Sequence, residues 1–183
     1  MAGIYGILGG ADAAELAAMG ERLRHRGATA RIWSPAPDLH LGLRSSSESS
    51  LDRAVENDVL FDGLLDNTNA LLELLGISAG ERGRPCDASI VRHVFERFGI
   101  NGFAHLAGHF ALALWDKAQR RLVLARDRFG ARPLCYSTAD GRFVFASEYK
   151  ALLAVPSVPA RPNRDAIQYL QCAKFVAPQS GWE

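Results

Sequence analysis

Four strand-like segments in the second half of the chain, Gly108–Asp116, Arg121–Asp127, Pro133–Ser137 and Arg142–Ala146, follow one another across short connections. Parallel neighbours need crossovers of about a dozen residues or more, so this spacing predicts an antiparallel meander. Turn signals stand in the gaps, among them Asp116-Lys117 and Ala139-Asp140-Gly141-Arg142.

The first half mixes helix and strand patterns. Ala2–Gly9 is a short apolar run with Gly3, Gly6 and Gly9, which reads as a buried strand whose glycines let other backbone approach closely. Asp12 is placed to cap a helix that begins near Ala13 and carries Leu16, Met19 and Leu23 on one face. That helix ends in the basic stretch Arg22–Arg26, with Gly27 as the stop. Leu39–Arg44 alternates like a half-buried strand, whereas Ser45–Asp52 is polar and serine-rich and reads as a mobile loop. Asp58–Phe61 is a further short strand, and Thr68–Leu75 and Ala88–Phe98 look helical. Glu148–Ala154 reads as a short helix, Pro156, Pro159 and Pro162 as a linker, and Asn163 through about Gln171 as a last helix. The fold class these elements imply is α+β, with two antiparallel sheets covered by helices.

With 183 residues the chain suffices for one domain with a sizeable core and is short for two. Its net charge of +1, from 21 basic and 20 acidic residues, creates no field that favours nucleic acid or acidic lipid. No apolar run approaches the roughly 20 residues that a membrane-spanning helix needs, and residues 2–10 lack the basic leader of a secretory signal. Cys86, Cys135 and Cys172 form an odd set without C-x-x-C spacing, which fits reduced thiols in a cytoplasmic protein. His25, His40, His93, His105 and His109 show no metal-ligand spacing, so no metal is expected.

Four stretches carry a specific likeness. They are Met1-Ala2-Gly3-Ile4-Tyr5-Gly6-Ile7, Arg24-His25-Arg26-Gly27, the run Leu124 to Leu134, and Phe145-Ala146-Ser147-Glu148-Tyr149-Lys150-Ala151-Leu152-Leu153. Together they resemble the N-terminal glutaminase domain of asparagine synthetases, the class II glutamine amidotransferases. The resemblance implies the four-layer αββα sandwich of N-terminal-nucleophile hydrolases. In that family residue 2 is a cysteine exposed by removal of the initiator Met; its thiol attacks glutamine and its own α-amine serves as the base. Here the place is taken by Ala2, whose methyl group cannot attack anything, and no serine, threonine or cysteine at the chain start replaces it.

The resemblance carries further positions over. Arg44 matches the arginine that clamps the glutamine α-carboxylate, a task suited to a planar guanidinium; otherwise it is a solvated strand-end arginine. Gly63 keeps one half of the family's oxyanion Asn-Gly pair, while Asp62 replaces the amide-donor asparagine with an ionised acceptor. Leu64 stands where a glutamate would meet the substrate ammonium, and Asp62-Gly63 reads equally as a plain turn. Asp87 matches the aspartate that binds the α-ammonium and also sits where a helix N-cap belongs. Arg126, Asp127, Arg128 and Arg132 read as an ion-pair network that holds loops.

Three departures in one pocket, Ala2, Asp62 and Leu64, point to natural loss of chemistry, since an engineered trap would alter only the first. The expected organisation is a glutaminase-like domain over residues 1–155, with 156–183 as linker and start of an ATP-pyrophosphatase-type synthetase domain. The Ser-Gly-Gly-x-Asp-Ser motif of that domain is absent. The resemblance thus implies no cofactor in this chain, ATP and Mg in the C-terminal domain, that domain as partner, and glutamine or a homodimer as further associations. Relatives lacking the cysteine include β-lactam synthetases and lasso-peptide macrolactam cyclases, where an internal amine attacks an adenylated carboxylate. Two alternatives stay open: an ammonia-supplying domain with an inactivating substitution, and a non-catalytic scaffold or amino-acid-binding module.

Overall fold

In the computed structural model, residues 2–10, 12–56, 58–77, 85–162, 164, 167 and 168 are described. The chain opens with strand β1 (Gly3–Leu8), then helix α1 (Ala13–Arg22) and a 3-10 turn at Arg24–Arg26. Asp12 accepts the Ala14 N–H, and Glu15 reaches back to the Asp12 backbone, closing a capping box. Strands β2 (Thr29–Ala36) and β3 (Leu39–Ser45) follow. The sequence reading missed β2, whose Pro35 breaks the ladder: its register shifts between Trp33 and Ala36, as an edge strand tolerates.

Ser45–Asp52 is not a loop throughout. Helix α2 (Glu48–Ala54) starts there because Ser47 accepts the Ser50 N–H and caps it. Strands β4 (Val55–Glu56) and β5 (Val59–Leu65) come next, so Asp62-Gly63 lies inside a strand and is not a turn. Helices α3 (Thr68–Leu75) and α4 (Asp87–Phe98) lead to β6 (Gly108–Asp116) and β7 (Arg121–Arg126). Strands β8 (Cys135–Ala139) and β9 (Arg142–Ala146) and helix α5 (Tyr149–Leu152) complete the described elements. The expected helix from Asn163 falls largely outside the described residues.

The strands form two antiparallel sheets, ordered β2-β3-β1-β9-β8 and β4-β5-β6-β7. The four-strand meander expected over 108–146 is therefore two hairpins in different sheets. β6 pairs with β7, and β8 with β9, but the chain crosses between the sheets at residues 127–134. Asp127 explains the crossing. Its carboxylate accepts N–H bonds from Phe110, Phe129, Ala131 and Arg132 at 3.0–3.3 Å, and so folds the connection back on β6. The expected ion-pair network is replaced by this backbone cradle: among the described residues no arginine side chain pairs with Asp127. Burial pushes its carboxyl up, but the four N–H groups outweigh that and leave its pKa lowered.

Three apolar layers hold the sandwich. Ile4, Leu41, Leu43, Leu60, Ala111, Ala113 and Phe145 fill the space between the sheets. Tyr5, Ile7, Val144 and Ala146 meet Leu16 and Met19 of α1, Leu23 just after it, and Ala151 and Leu152 of α5 on one outer face. Val59, Phe61, Leu112 and Leu114 meet Leu71, Leu72, Ile90, Val91 and Val94 of α3 and α4 on the other. Alternation along each strand sends successive side chains to different layers, and the result is the αββα order.

Candidate functional site

Ala2 precedes β1 and lines a cleft of about 210 Å3 together with residues of both sheets. The cleft is lined by Ala2, Asp62, Gly63, Leu64, Asp87 and Arg132, with Ser45, Ser46 and Ser50 on a further wall. Ala2 brings no nucleophilic side chain to it. The Ala2 N–H donates to Asp62 Oδ1 at 2.8 Å, and the Ala2 carbonyl accepts from Arg26 Nη1 at 3.0 Å. Arg26 Nη1 also meets Asp62 Oδ2 at 3.2 Å, with Asp62 1% and the Arg26 side chain 9% exposed. Asp62 is thus held on both oxygens, by an amide and by a cation. A carboxylate so placed offers no proton to a developing oxyanion.

Arg26 continues the network outward. Its Nε donates to Glu148 at 2.5 Å, and His25 Nε2 lies 2.8 Å from the same carboxylate. Lys150 Nζ is 3.1 Å from the other oxygen. Burial pushes the Glu148 carboxyl up, yet hydrogen bonds from Arg26, His25 and Lys150 bring it down to about 2. Ser147 bonds both the Ile4 N–H and the Ile4 carbonyl through its hydroxyl, at 3.0 and 3.3 Å. The stretches Arg24–Gly27 and Phe145–Leu153 thereby converge on the start of β1.

Gly63 is required where it stands. Its φ is +151°, and a Cβ there would lie 2.1 Å from the His109 carbonyl oxygen. Leu64 is 57% exposed on the cleft rim. Asp87 is the first residue of α4 rather than its cap; Cys86 holds the cap position without a side-chain bond. Asp87 Oδ2 accepts the Leu65 N–H at 3.2 Å, which ties α4 to β5 beside the cleft.

Arg44 is placed apart from the others. Leu41 and Leu43 of β3 face the space between the sheets, and Gly42 packs against the Tyr5 ring on the outer face. Alternation puts Arg44 on the Tyr5 side. Its Nη1 donates to the Gly27 and Ala28 carbonyls at 3.3 Å, and its Nη2 meets Glu21 at 3.5 Å. It is absent from the residues that line the cleft. The sequence reading assigned no site role to Arg26 or Arg132, although both sit in stretches it singled out. Among the described residues no group of three or more His, Cys, Asp or Glu side chains could hold a metal ion. No described helix is long and apolar enough to cross a membrane.

Asparagine synthetase (glutamine-hydrolyzing) 3 of Bacillus subtilis (strain 168) is 34% identical over 109 residues, which is 60% of this chain and 18% of that protein. Asparagine synthetase (glutamine-hydrolyzing) 2 of the same strain is 38% identical over 77 residues, 42% of this chain and 10% of that protein. The chain therefore spans a small part of the length of these relatives. Among solved structures, the glutamine phosphoribosylpyrophosphate amidotransferase of B. subtilis, complexed with ADP and GMP, superposes with a TM-score of 0.63. It is 20% identical, with 83% of this chain and 43% of that chain covered, a likeness of fold alone. A glutamine amidotransferase domain model matches residues 1–182. Nearly the whole chain, from the strand headed by Ala2 onward, thus belongs to the glutamine amidotransferase domain family, in the form found in asparagine synthetase-like proteins.

Proposed function

We propose that this is a hydrolytically silent amidotransferase domain, the N-terminal part of an asparagine synthetase-like, ATP-dependent amide-forming enzyme. In this reading the partner is a C-terminal synthetase domain, which would use ATP and magnesium to activate a carboxylate in the cytoplasm. An amine other than glutamine-derived ammonia would then attack, as in a β-lactam synthetase or a lasso-peptide cyclase. The observation that carries the reading is the bond from the Ala2 N–H to Asp62. It joins a residue without a nucleophile to a carboxylate in the place of an amide donor. Acyl transfer by covalent catalysis uses a nucleophilic side chain and gains rate from a preorganised oxyanion donor, and neither group is available from Ala2 and Asp62.

The test is direct. The purified 183-residue chain is incubated with glutamine, and ammonia and glutamate are measured. Release at the buffer rate is expected; release above it refutes the proposal.

A second reading is favoured by the names of the relatives, which are glutamine-hydrolyzing enzymes. Here the domain would belong to an ammonia-supplying asparagine synthetase inactivated by the substitution at residue 2, with Asp62 and Leu64 compatible with catalysis. Ala2→Cys separates the two. Hydrolysis returns in the second reading, and stays absent in the first, in which Asp62 and Leu64 have also disabled the pocket.

A further inference from the structure

We propose that two copies of this chain pair through β8, antiparallel across a two-fold axis at Ser137, so that the five-stranded sheet of one continues into that of the other. β8 ends its sheet, and among the described residues no strand lies beyond it. A sheet edge presents unpaired N–H and C=O groups, which native chains blunt with charge, proline, bulges or short strands. The other edges of the two sheets are blunted in these ways. β2 carries Arg31, Pro35 and a register shift. β4 has two residues, one of them Glu56, and β7 has an arginine at each end, Arg121 and Arg126. β8 reads Cys-Tyr-Ser-Thr-Ala, with no charge, no proline and no register shift against β9.

The hairpin decides which groups of β8 face outward. Asp140 and Gly141 join β8 to β9 with φ of +52° and +73°, the type I′ pattern, in which the carbonyl before the two central residues accepts from the N–H after them. Ala139 and Arg142 are thus a hydrogen-bonded pair, and such pairs alternate along an antiparallel ladder. Cys135, Ser137 and Ala139 therefore bond to β9, while the N–H and C=O groups of Tyr136 and Thr138 point to the outer edge. The side chains agree. Tyr136 stacks on Phe143, on the side of the sheet that faces the second sheet, yet it is 67% exposed because that sheet does not reach over β8.

A second copy fits this edge. A two-fold contact sets one surface patch against itself, so any charge near the axis meets its own kind. A neutral strand meets no such penalty. With Ser137 opposite Ser137 of the second copy, Tyr136 stands opposite Thr138 of the second copy, and Thr138 opposite Tyr136. Both pairs then exchange the main-chain bonds that β9 leaves over. A register displaced by one residue would spend those groups on Ser137, whose own are taken. A displacement by two would set Tyr136 or Thr138 against a residue beyond the strand. An aromatic ring beside a β-branched side chain is a favourable cross-strand neighbour.

The experiment is sedimentation equilibrium of the 183-residue chain across a wide range of concentration. A reversible dimer is expected. Ser137→Lys and Ser137→Glu each set like charges across the axis and should weaken self-association at least tenfold. An equal mixture of the two variants should restore it at least tenfold, a result that only a contact of Ser137 with its own copy gives. Thr138→Pro removes an outward N–H without touching the ladder to β9 and should also weaken the dimer at least tenfold. Ala30→Lys, on the opposite edge of the same sheet, should change it by under twofold. Circular dichroism confirms folding, and the two Ser137 variants carry the test if Thr138→Pro does not fold. A monomer at every concentration overturns the proposal. So does a dimer that the folded Ser137 variants leave intact, or one that their mixture does not restore.

Discussion

The Ala2 N–H and the Asp62 carboxylate, 2.8 Å apart, join the head of β1 in one sheet to the middle of β5 in the other. With Arg26 on the second oxygen, Asp62, which lines the cleft, carries a buried ion pair.

Breaking that pair should cost stability. Asp62→Ala leaves the Arg26 cation buried with less compensation, and a loss of roughly 3–5 kcal/mol is expected. Asp62→Asn keeps one acceptor and should cost about 1–3 kcal/mol. Urea unfolding followed by circular dichroism gives both values; an unchanged midpoint for Asp62→Ala would contradict the structure.

In the silent-domain reading, restoring chemistry takes more than a thiol. Ala2→Cys alone is expected to release no ammonia from glutamine above background. Adding Asp62→Asn and Leu64→Glu supplies an oxyanion donor and a polar rim. Since one such donor is worth about 10²–10³ in rate, the triple variant should exceed the single one at least tenfold. Equal rates would remove Asp62 and Leu64 from the explanation.

Glu148 sets an acid limit. Its folded pKa of about 2 lies below the ordinary 4.5. The unfolded state therefore binds its proton first as pH falls. The stabilisation is full above about 4.5 and fades toward 2. Unfolding midpoints measured across this window should fall in the native chain and fall less steeply in Glu148→Gln.

Two glycines separate backbone cost from collision. At Gly76 the φ is +69° and a Cβ meets nothing within 4 Å, so Gly76→Ala should cost about 1–2 kcal/mol from the left-handed backbone alone. At Gly63 a Cβ would also strike the His109 carbonyl, and Gly63→Ala should cost roughly 1–3 kcal/mol more. Thermal melts of the two variants rank them.

Local signals read well from the chain. The Asp12 cap, the apolar stripe Leu16-Met19-Leu23 and the helix Thr68–Leu75 stand where their residues imply. These features depend on neighbours within a turn of helix. β2 was missed because Pro35 interrupts its pattern, and α2 because a serine-rich stretch hides the Ser47 cap. At the site, the absence of a nucleophilic side chain at Ala2 was plain in the sequence. The place of Arg44 was not, because alternation shows that the two faces of β3 differ without showing which layer each one meets.

The amino-acid sequence by itself determined the family, the kinds of elements and the absence of a thiol before β1. Only the tertiary structure decided that the 108–146 strands divide between two sheets, and that Arg26 crosses to Asp62, 36 residues away. It also decided that Arg132 rather than Arg44 lines the cleft. Each of these turns on which faces pack together, a property of distant segments meeting that local pattern does not encode.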